Sequence, residues 1–137
     1  MPSGNHLGHN ARSRSVDLDD YVQNVAGIRR LARLALSRFP DDDLEDILLV
    51  VTELVSNAFD HGRSPRWMRL YLTLAPFAVR CEVDDTAPEL PVLGKSRLGG
   101  FRGRGMVLVD QLATSWGAAR GDGYKTVWAQ FNREGSR

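Results

Sequence analysis

The most strongly patterned stretch of the chain is ILLVVTELVSNAFDHG, residues 47–62, where apolar positions recur with helical period. Ile47, Leu48, Val51, Leu54, Val55, Ala58 and Phe59 fall on one broad arc and predict a core-facing helix. Glu53, Asn57 and His61 fall together beside that arc. Upstream, Val22, Val25, Ile28, Leu31, Ala35 and Phe39 share a face of a helix predicted over residues 20–39, and Pro40 ends it. Asp41 and Asp42 offer an N-cap and negative charge to the helix that follows. Gly62 is placed to be its C-cap glycine, and Pro65 bars continuation.

Beyond Gly62 the period changes to two. Residues 67–74 put Met68, Leu70, Leu72 and Leu74 on one face, and residues 77–84 alternate through Val79, Cys81 and Val83. Ala75-Pro76 between them makes this a hairpin. Residues 85–105, DTAPELPVLGKSRLGGFRGRG, shift to Pro, Gly and charge and predict a long irregular loop, of the kind that carries function in a small domain. A short helix over 106–112 follows, then strands near 114–120 and 125–132 around the turn Gly121-Asp122-Gly123. A short edge strand is expected at 15–18. Residues 1–14 are polar and aperiodic, which predicts a disordered tail, and 133–137 predict a frayed end, leaving 15–132 as the domain. The order helix, helix, hairpin, loop, helix, hairpin predicts an α/β two-layer sandwich, a mixed and mostly antiparallel sheet with helices on one face.

Composition narrows this picture without changing it. The 137 residues, 42% hydrophobic and 26% charged, suit one domain with a single core. A net charge of +1 gives no global pull toward nucleic acid or a membrane surface, so any anion must be held locally. Arg29, Arg30, Arg33 and Arg38 decorate the outer side of the first helix and read as a solvated face before they read as a nucleic-acid or acidic-partner surface. The single cysteine, Cys81, lies inward on its strand and reads as a buried thiol. No apolar run approaches the roughly 20 residues that span a bilayer, and no secretory h-region opens the chain, so the expected location is cytoplasmic.

Several groups could carry chemistry. Glu53 and Asn57, at i and i+4, point the same way and could share a pocket floor, where an acid beside an amide oxygen suits a hydrated Mg²⁺; the competing reading is a solvated helix edge. Gly103-Arg104-Gly105 before the 106–112 helix suits an anion site or a flexible turn. Asp85, ending a strand, can accept from the exocyclic amine of a base or cap a turn. Gly94-Lys95-Ser96 lacks the earlier glycine of a P-loop, which is Glu89 here. His6 and His9 in the tail fall short of a structural metal site, and no GxSxG, HExxH or paired CxxC occurs.

In this order, ELVSNAFDHG, VDDTAPELP, GRGMVLVDQLATSWG and GYKTVWAQF resemble the GHKL nucleotide-binding superfamily of gyrase, chaperone and histidine-kinase ATPases. More narrowly they resemble its anti-sigma-factor serine/threonine kinase branch and the actinobacterial relatives of that branch. The resemblance implies a Bergerat-type ATP-binding fold with ATP and Mg²⁺ as cofactors. It implies that Asn57 ligates Mg²⁺, that Glu53 is the general base, and that Asp85 reads the adenine amino group. Gly103, Arg104 and Gly105 would line the phosphates, and Thr126 would bond near the adenine or α-phosphate, with Lys125 an uncertain addition. His61 matches the histidine that ends the motif and serves equally as a structural helix end. The chief departure is Asp85-Thr86-Ala87-Pro88-Glu89, where the superfamily has Asp-x-Gly-x-Gly; Glu89 adds negative charge near a triphosphate.

The function so implied is phosphorylation of a small STAS-type anti-sigma antagonist, with the capacity to sequester a sigma factor and to pair as a homodimer, and without direct nucleic-acid or membrane binding. The alternative is a catalytically weak or inactive nucleotide-binding module acting through protein contacts.

Overall fold

The computed structural model describes residues 12–21, 24–74, 76–89 and 100–132, with the side chains of 100–105 excepted. Its elements are β1 (Arg12–Asp17), a 3₁₀ turn (Leu18–Tyr21), α1 (Val25–Ala35), α2 (Asp41–His61), β2 (Trp67–Leu74), β3 (Phe77–Asp85), α3 (Gly100–Leu112), β4 (Ser115–Arg120) and β5 (Lys125–Asn132). They form a five-stranded sheet in the order β1-β2-β3-β5-β4. Every neighbouring pair is antiparallel, so the expected mixed sheet is antiparallel throughout. The α3 crossover sends β4 to the sheet edge, and the tight return at Gly121 then lays β5 between β4 and β3. Gly123, at φ 85°, takes the left-handed conformation that this return requires.

Alternation decides which face is dry. Met68, Leu70 and Leu72 of β2, Val79, Cys81 and Val83 of β3, and Ala129 and Phe131 of β5 point inward and join the buried stripes of α1, α2 and α3 in one core. The stripe of α2 holds every apolar residue its periodicity assigned, from Ile47 to Phe59. Phe39 and Phe77 meet edge to face at 5.1 Å and close one end of the core.

The opposite sheet face is polar and tied together by ion pairs. Arg69 forks onto both oxygens of Asp84 at 2.8 and 3.0 Å and also reaches Glu82, which accepts from Arg80 at 2.7 Å. Arg80 lies 4.2 Å over the Trp128 ring. The Asp84 bonds raise the pKa of Arg69 further above its ordinary value, with Glu82 adding to them against partial burial.

Several boundaries differ from the sequence expectation. The first helix is shorter: the Asn24 side-chain oxygen accepts from the Gly27 N–H at 2.9 Å and starts α1 at Val25, while Leu18–Tyr21 forms a separate turn. Val22 lies outside the described residues. The N-cap of α2 is Pro40, without a side-chain cap bond, and Asp41 to Asp43 fill the first turn, where their charge favours the helix dipole. β1 begins at Arg12, three positions inside the segment expected to be tail; only Val16 of this edge strand is buried. Two of the arginines on α1, Arg29 and Arg33, pair with Glu45 of α2 at 3.1 and 2.8 Å. Among the described residues no helix is long and apolar enough to cross a membrane.

Candidate functional site

Where the C-terminal half of α2 passes over the ends of β3 and β5, the chain encloses a cavity of about 390 Å³. That size is in the range of small-molecule sites. Leu54, Ala58, Val83, Met106 and Val127 supply apolar walls, and Asn57, Asp60, His61, Asp85, Glu89 and Lys125 supply polar ones. Apolar walls set beside polar groups fix the orientation of a flat, heteroatom-bearing ligand.

Asp85 is the deepest acid, 3% exposed. Its Oδ1 accepts from the Ala87 N–H at 2.7 Å and faces Lys125 Nζ at 3.5 Å. Lys125, 7% exposed, also donates to the Glu89 carbonyl. A buried carboxylate without a counter-charge costs several kcal/mol, so the pair explains how Asp85 stays in the wall. The segment after β3 is fastened at each step. The Thr86 N–H donates to the Arg63 carbonyl at 3.0 Å, its hydroxyl donates to the Ser64 carbonyl at 2.8 Å, and Lys125 holds Glu89. Ala87, standing where the superfamily pattern has glycine, is buried.

Asn57 lines the cavity, and its amide donates to Met106 Sδ at 3.5 Å, a weak acceptor. Its Oδ1 accepts no hydrogen bond among the described residues, which fits an oxygen ligand for a hydrated cation. No three His, Cys, Asp or Glu among the described residues converge on a metal-sized site, so a cation here would depend on Asn57 together with phosphate and water oxygens. Glu53 is half-buried one turn earlier, roughly 6 Å along the helix axis, and is not part of the cavity wall. His61 is exposed at the rim.

Two placements depart from the sequence expectation. Thr126 is on the other side of the sheet: its hydroxyl donates to Asp84 Oδ1 at 2.6 Å, within the polar network around Arg69. The residue that β5 turns into the cavity is Lys125, in phase with Val127, Ala129 and Phe131. Secondly, α3 starts at Gly100, so Gly103, Arg104 and Gly105 are helical backbone inside its first two turns and do not precede it. The fourth residues of α1 and α2, Ile28 and Leu44, already donate to their cap carbonyls, and by the same register the unpartnered N–H groups of α3 end at residue 102 and include none of Gly103, Arg104 and Gly105. The Gly94-Lys95-Ser96 segment lies outside the described residues, as do His6 and His9.

Gly62 is the C-cap of α2, as its position predicted, and closes the helix with an extended backbone, φ −91° and ψ −177°. It is bare because a Cβ there would lie 2.6 Å from the Ala58 carbonyl oxygen and 2.6 Å from Asp85 Cγ. Arg66 holds the same helix end. Its guanidinium donates to the Ala58 carbonyl at 2.8 Å, the Gly62 carbonyl at 3.1 Å and Asp19 at 2.9 Å, and lies 5.8 Å over the Phe59 ring. Composition and spacing gave no sign of this anchor, because two of its partners are backbone carbonyls and Asp19 is far from it in sequence.

The sequence matches the family model of the histidine kinase-like ATPase domain over residues 18–131. A crystal structure of the RsbU and RsbW domains of a Mycobacterium tuberculosis protein superposes with a TM-score of 0.65 at 19% identity, over 88% of this chain and 32% of that one. The histidine kinase domain of a blue-light activated histidine kinase from Erythrobacter litoralis superposes with a TM-score of 0.50 at 19% identity, over 85% of this chain and 61% of that one. The likeness to both is one of fold, and the chain spans less than two thirds of either structure's length. No curated protein sequence matches significantly.

Proposed function

The chain belongs to the histidine kinase-like ATPase domain family, and from that premise we propose that it binds ATP with Mg²⁺ in the α2–β3–β5 cavity and phosphorylates a serine or threonine of a small STAS-type anti-sigma antagonist. The observation that carries this reading is the joint placement of Asn57 and the buried Asp85 in one cavity of about 390 Å³ that also has apolar walls of Leu54, Ala58, Val83, Met106 and Val127.

In this reading the apolar walls take the faces of the adenine, and Asp85 accepts from its exocyclic amine. Asn57 would contribute one oxygen to Mg²⁺, which when bound neutralises phosphate charge. Glu53, one turn from Asn57, takes the proton of the attacking hydroxyl; its position off the cavity wall suits a group that meets a protein substrate entering from outside. The first turn of α3, residues 100–102, offers backbone N–H groups to the phosphates just ahead of Gly103. Sequestration of a sigma factor and pairing as a homodimer belong to the same proposal. It draws support from a neighbour of this fold in which an RsbW domain shares a structure with an RsbU domain.

The test is transfer of the γ-phosphate of ATP to candidate antagonist proteins, read as phosphoserine or phosphothreonine. The expected result is transfer by the wild type and loss of at least about 100-fold in Glu53→Ala, the usual range for general-base removal. Wild-type ATP binding without transfer to any antagonist would favour the second reading, a non-catalytic nucleotide-binding module. The observation behind that reading is Glu89, whose backbone lies on the cavity wall where the superfamily pattern has glycine.

A further inference from the structure

Lys125 has a proton to spare in a place where protons are not left over. An ammonium carries three N–H groups. One of them goes to the Glu89 carbonyl and one faces Asp85 Oδ1 at 3.5 Å. Among the described residues no acceptor takes the third, although the side chain is only 8% exposed. Asp85 is in the complementary condition. Its Oδ1 is engaged by the Ala87 N–H and by Lys125, whereas Oδ2 accepts nothing among the described residues and lies against the bare Cα of Gly62. Two neighbouring residues, paired through Oδ1, thus bring a spare donor and a spare acceptor to a cavity whose apolar wall includes Leu54, Val83, Met106 and Val127.

We infer that Lys125 is a base-reading residue, and that Asp85 and Lys125 together read the amidine edge of adenine: the carboxylate accepts from the 6-amino group while the ammonium donates to ring N1. The inference rests on the nucleotide reading above and deepens it. An amidine edge places a donor next to an acceptor within one rigid plane, which is the pattern that a neighbouring carboxylate and ammonium complement. The neighbouring hydroxyl on β5 cannot take this part, because Thr126 points to the opposite face and is held by Asp84. Lys125 also compensates the charge of Asp85, so the site offers a hydrogen-bonding pair at no net charge to a neutral base. Asp60, His61 and Glu89 line the same cavity, the first two from the end of α2 and the third from the fastened segment after β3.

The test is a ligand-atom and residue cycle. Affinities of ATP and 1-deaza-ATP, in which N1 is replaced by C–H, are measured by isothermal titration with Mg²⁺ on the full chain and on Lys125→Met. A hydrogen bond from a charged donor corresponds to a factor of roughly 10 to 100. The wild type is expected to bind 1-deaza-ATP weaker than ATP by about that factor, and Lys125→Met to bind the two within about twofold of each other. A general structural role for Lys125 would weaken both nucleotides together and leave their ratio unchanged. Equal affinities in the wild type would overturn the inference while leaving ATP binding intact, and so would a ratio that survives in Lys125→Met. Failure of the folded wild type to bind ATP at all would remove the nucleotide reading and this inference with it. If Lys125→Met alone does not fold, the double variant Asp85→Asn, Lys125→Met removes both charges together and is titrated for the same equality.

Discussion

Gly62 and Asp85 meet without a side chain between them: a Cβ on Gly62 would stand 2.6 Å from Asp85 Cγ and 2.8 Å from Oδ2. The end of α2 and the end of β3 are thereby locked at a separation that only glycine permits. The carboxylate is held from three directions, by this contact, by the Ala87 N–H and by Lys125.

Gly62→Ala is accordingly expected to cost about 1–3 kcal/mol, the usual effect of forcing atoms into a packed site. The extended backbone of Gly62 is open to any residue, so the cost is contact alone. The check is a urea midpoint that falls with an unchanged denaturant slope. A nucleotide affinity that falls with it would tie the contact to the site.

Arg66→Ala should loosen the same helix end from the other side. It removes bonds to the Ala58 and Gly62 carbonyls, to Asp19 and to Ser64, and leaves the Ala58 carbonyl with the Gly62 N–H alone. The expected loss is on the order of 2–3 kcal/mol, and Arg66→Lys should recover less than half, since a single ammonium cannot span the fork. Partial burial works against ionising Asp19, but the bonds from Arg66 and Ser64 outweigh it and hold its carboxyl below the ordinary 3.8. A depressed acid stabilises the fold above its unfolded value and loses that contribution as pH falls through its folded value. The gap between wild type and Arg66→Ala should therefore narrow as pH falls below 3.8, measured by thermal melts across acid pH.

Strand parity and helical period carried most of the fold. β2 and β5 have the predicted ends, the buried stripe of α2 is the predicted one, and Asp85 lies in the cavity with Asn57. What was misplaced came from reading a motif in place of a period. Val127, Ala129 and Phe131 put the odd positions of β5 inside, so Lys125 belongs to the cavity and Thr126 to the polar face, a signal present in the alternation itself. The early start of α3 had no such signal, because glycine and arginine over residues 100–105 resemble a loop by composition. The Asn24 cap was legible as an Asn three residues before Gly27, and Arg66 was not legible at all.

Cys81 supplies the alkaline limb of stability. It is fully buried in the inner face of β3, and burial, with the negative charge of Glu82 adding, pushes its thiol up to about 12 from an ordinary 9.0. The folded state keeps the proton when the unfolded chain has lost it, so Cys81 costs stability as pH rises from 9.0 toward 12. Urea midpoints should fall between neutral pH and about pH 10.5, and fall less in Cys81→Ala. Iodoacetamide at neutral pH should label the thiol only once the chain is unfolded.

Asn57 separates folding from ligand binding. Its one bond is a long donation to a thioether, and the side chain stands half-buried at the edge of the cavity, so nothing in the core depends on it. Asn57→Ala should shift the urea midpoint by less than the equivalent of about 1 kcal/mol, since the bond removed is weak and no buried partner is orphaned. If its oxygen ligates Mg²⁺, the same variant should lose at least about tenfold in affinity for ATP with Mg²⁺, and much less for ATP in EDTA, where Asn57 has no cation to hold. Asn57→Asp keeps an oxygen ligand and should retain Mg²⁺-dependent binding. Equal losses for Asn57→Ala with and without Mg²⁺ would place Asn57 against the nucleotide itself and move the cation to other oxygens. An unchanged affinity in both media would remove Asn57 from the site, leaving Asp85 and Lys125 as the groups that define it.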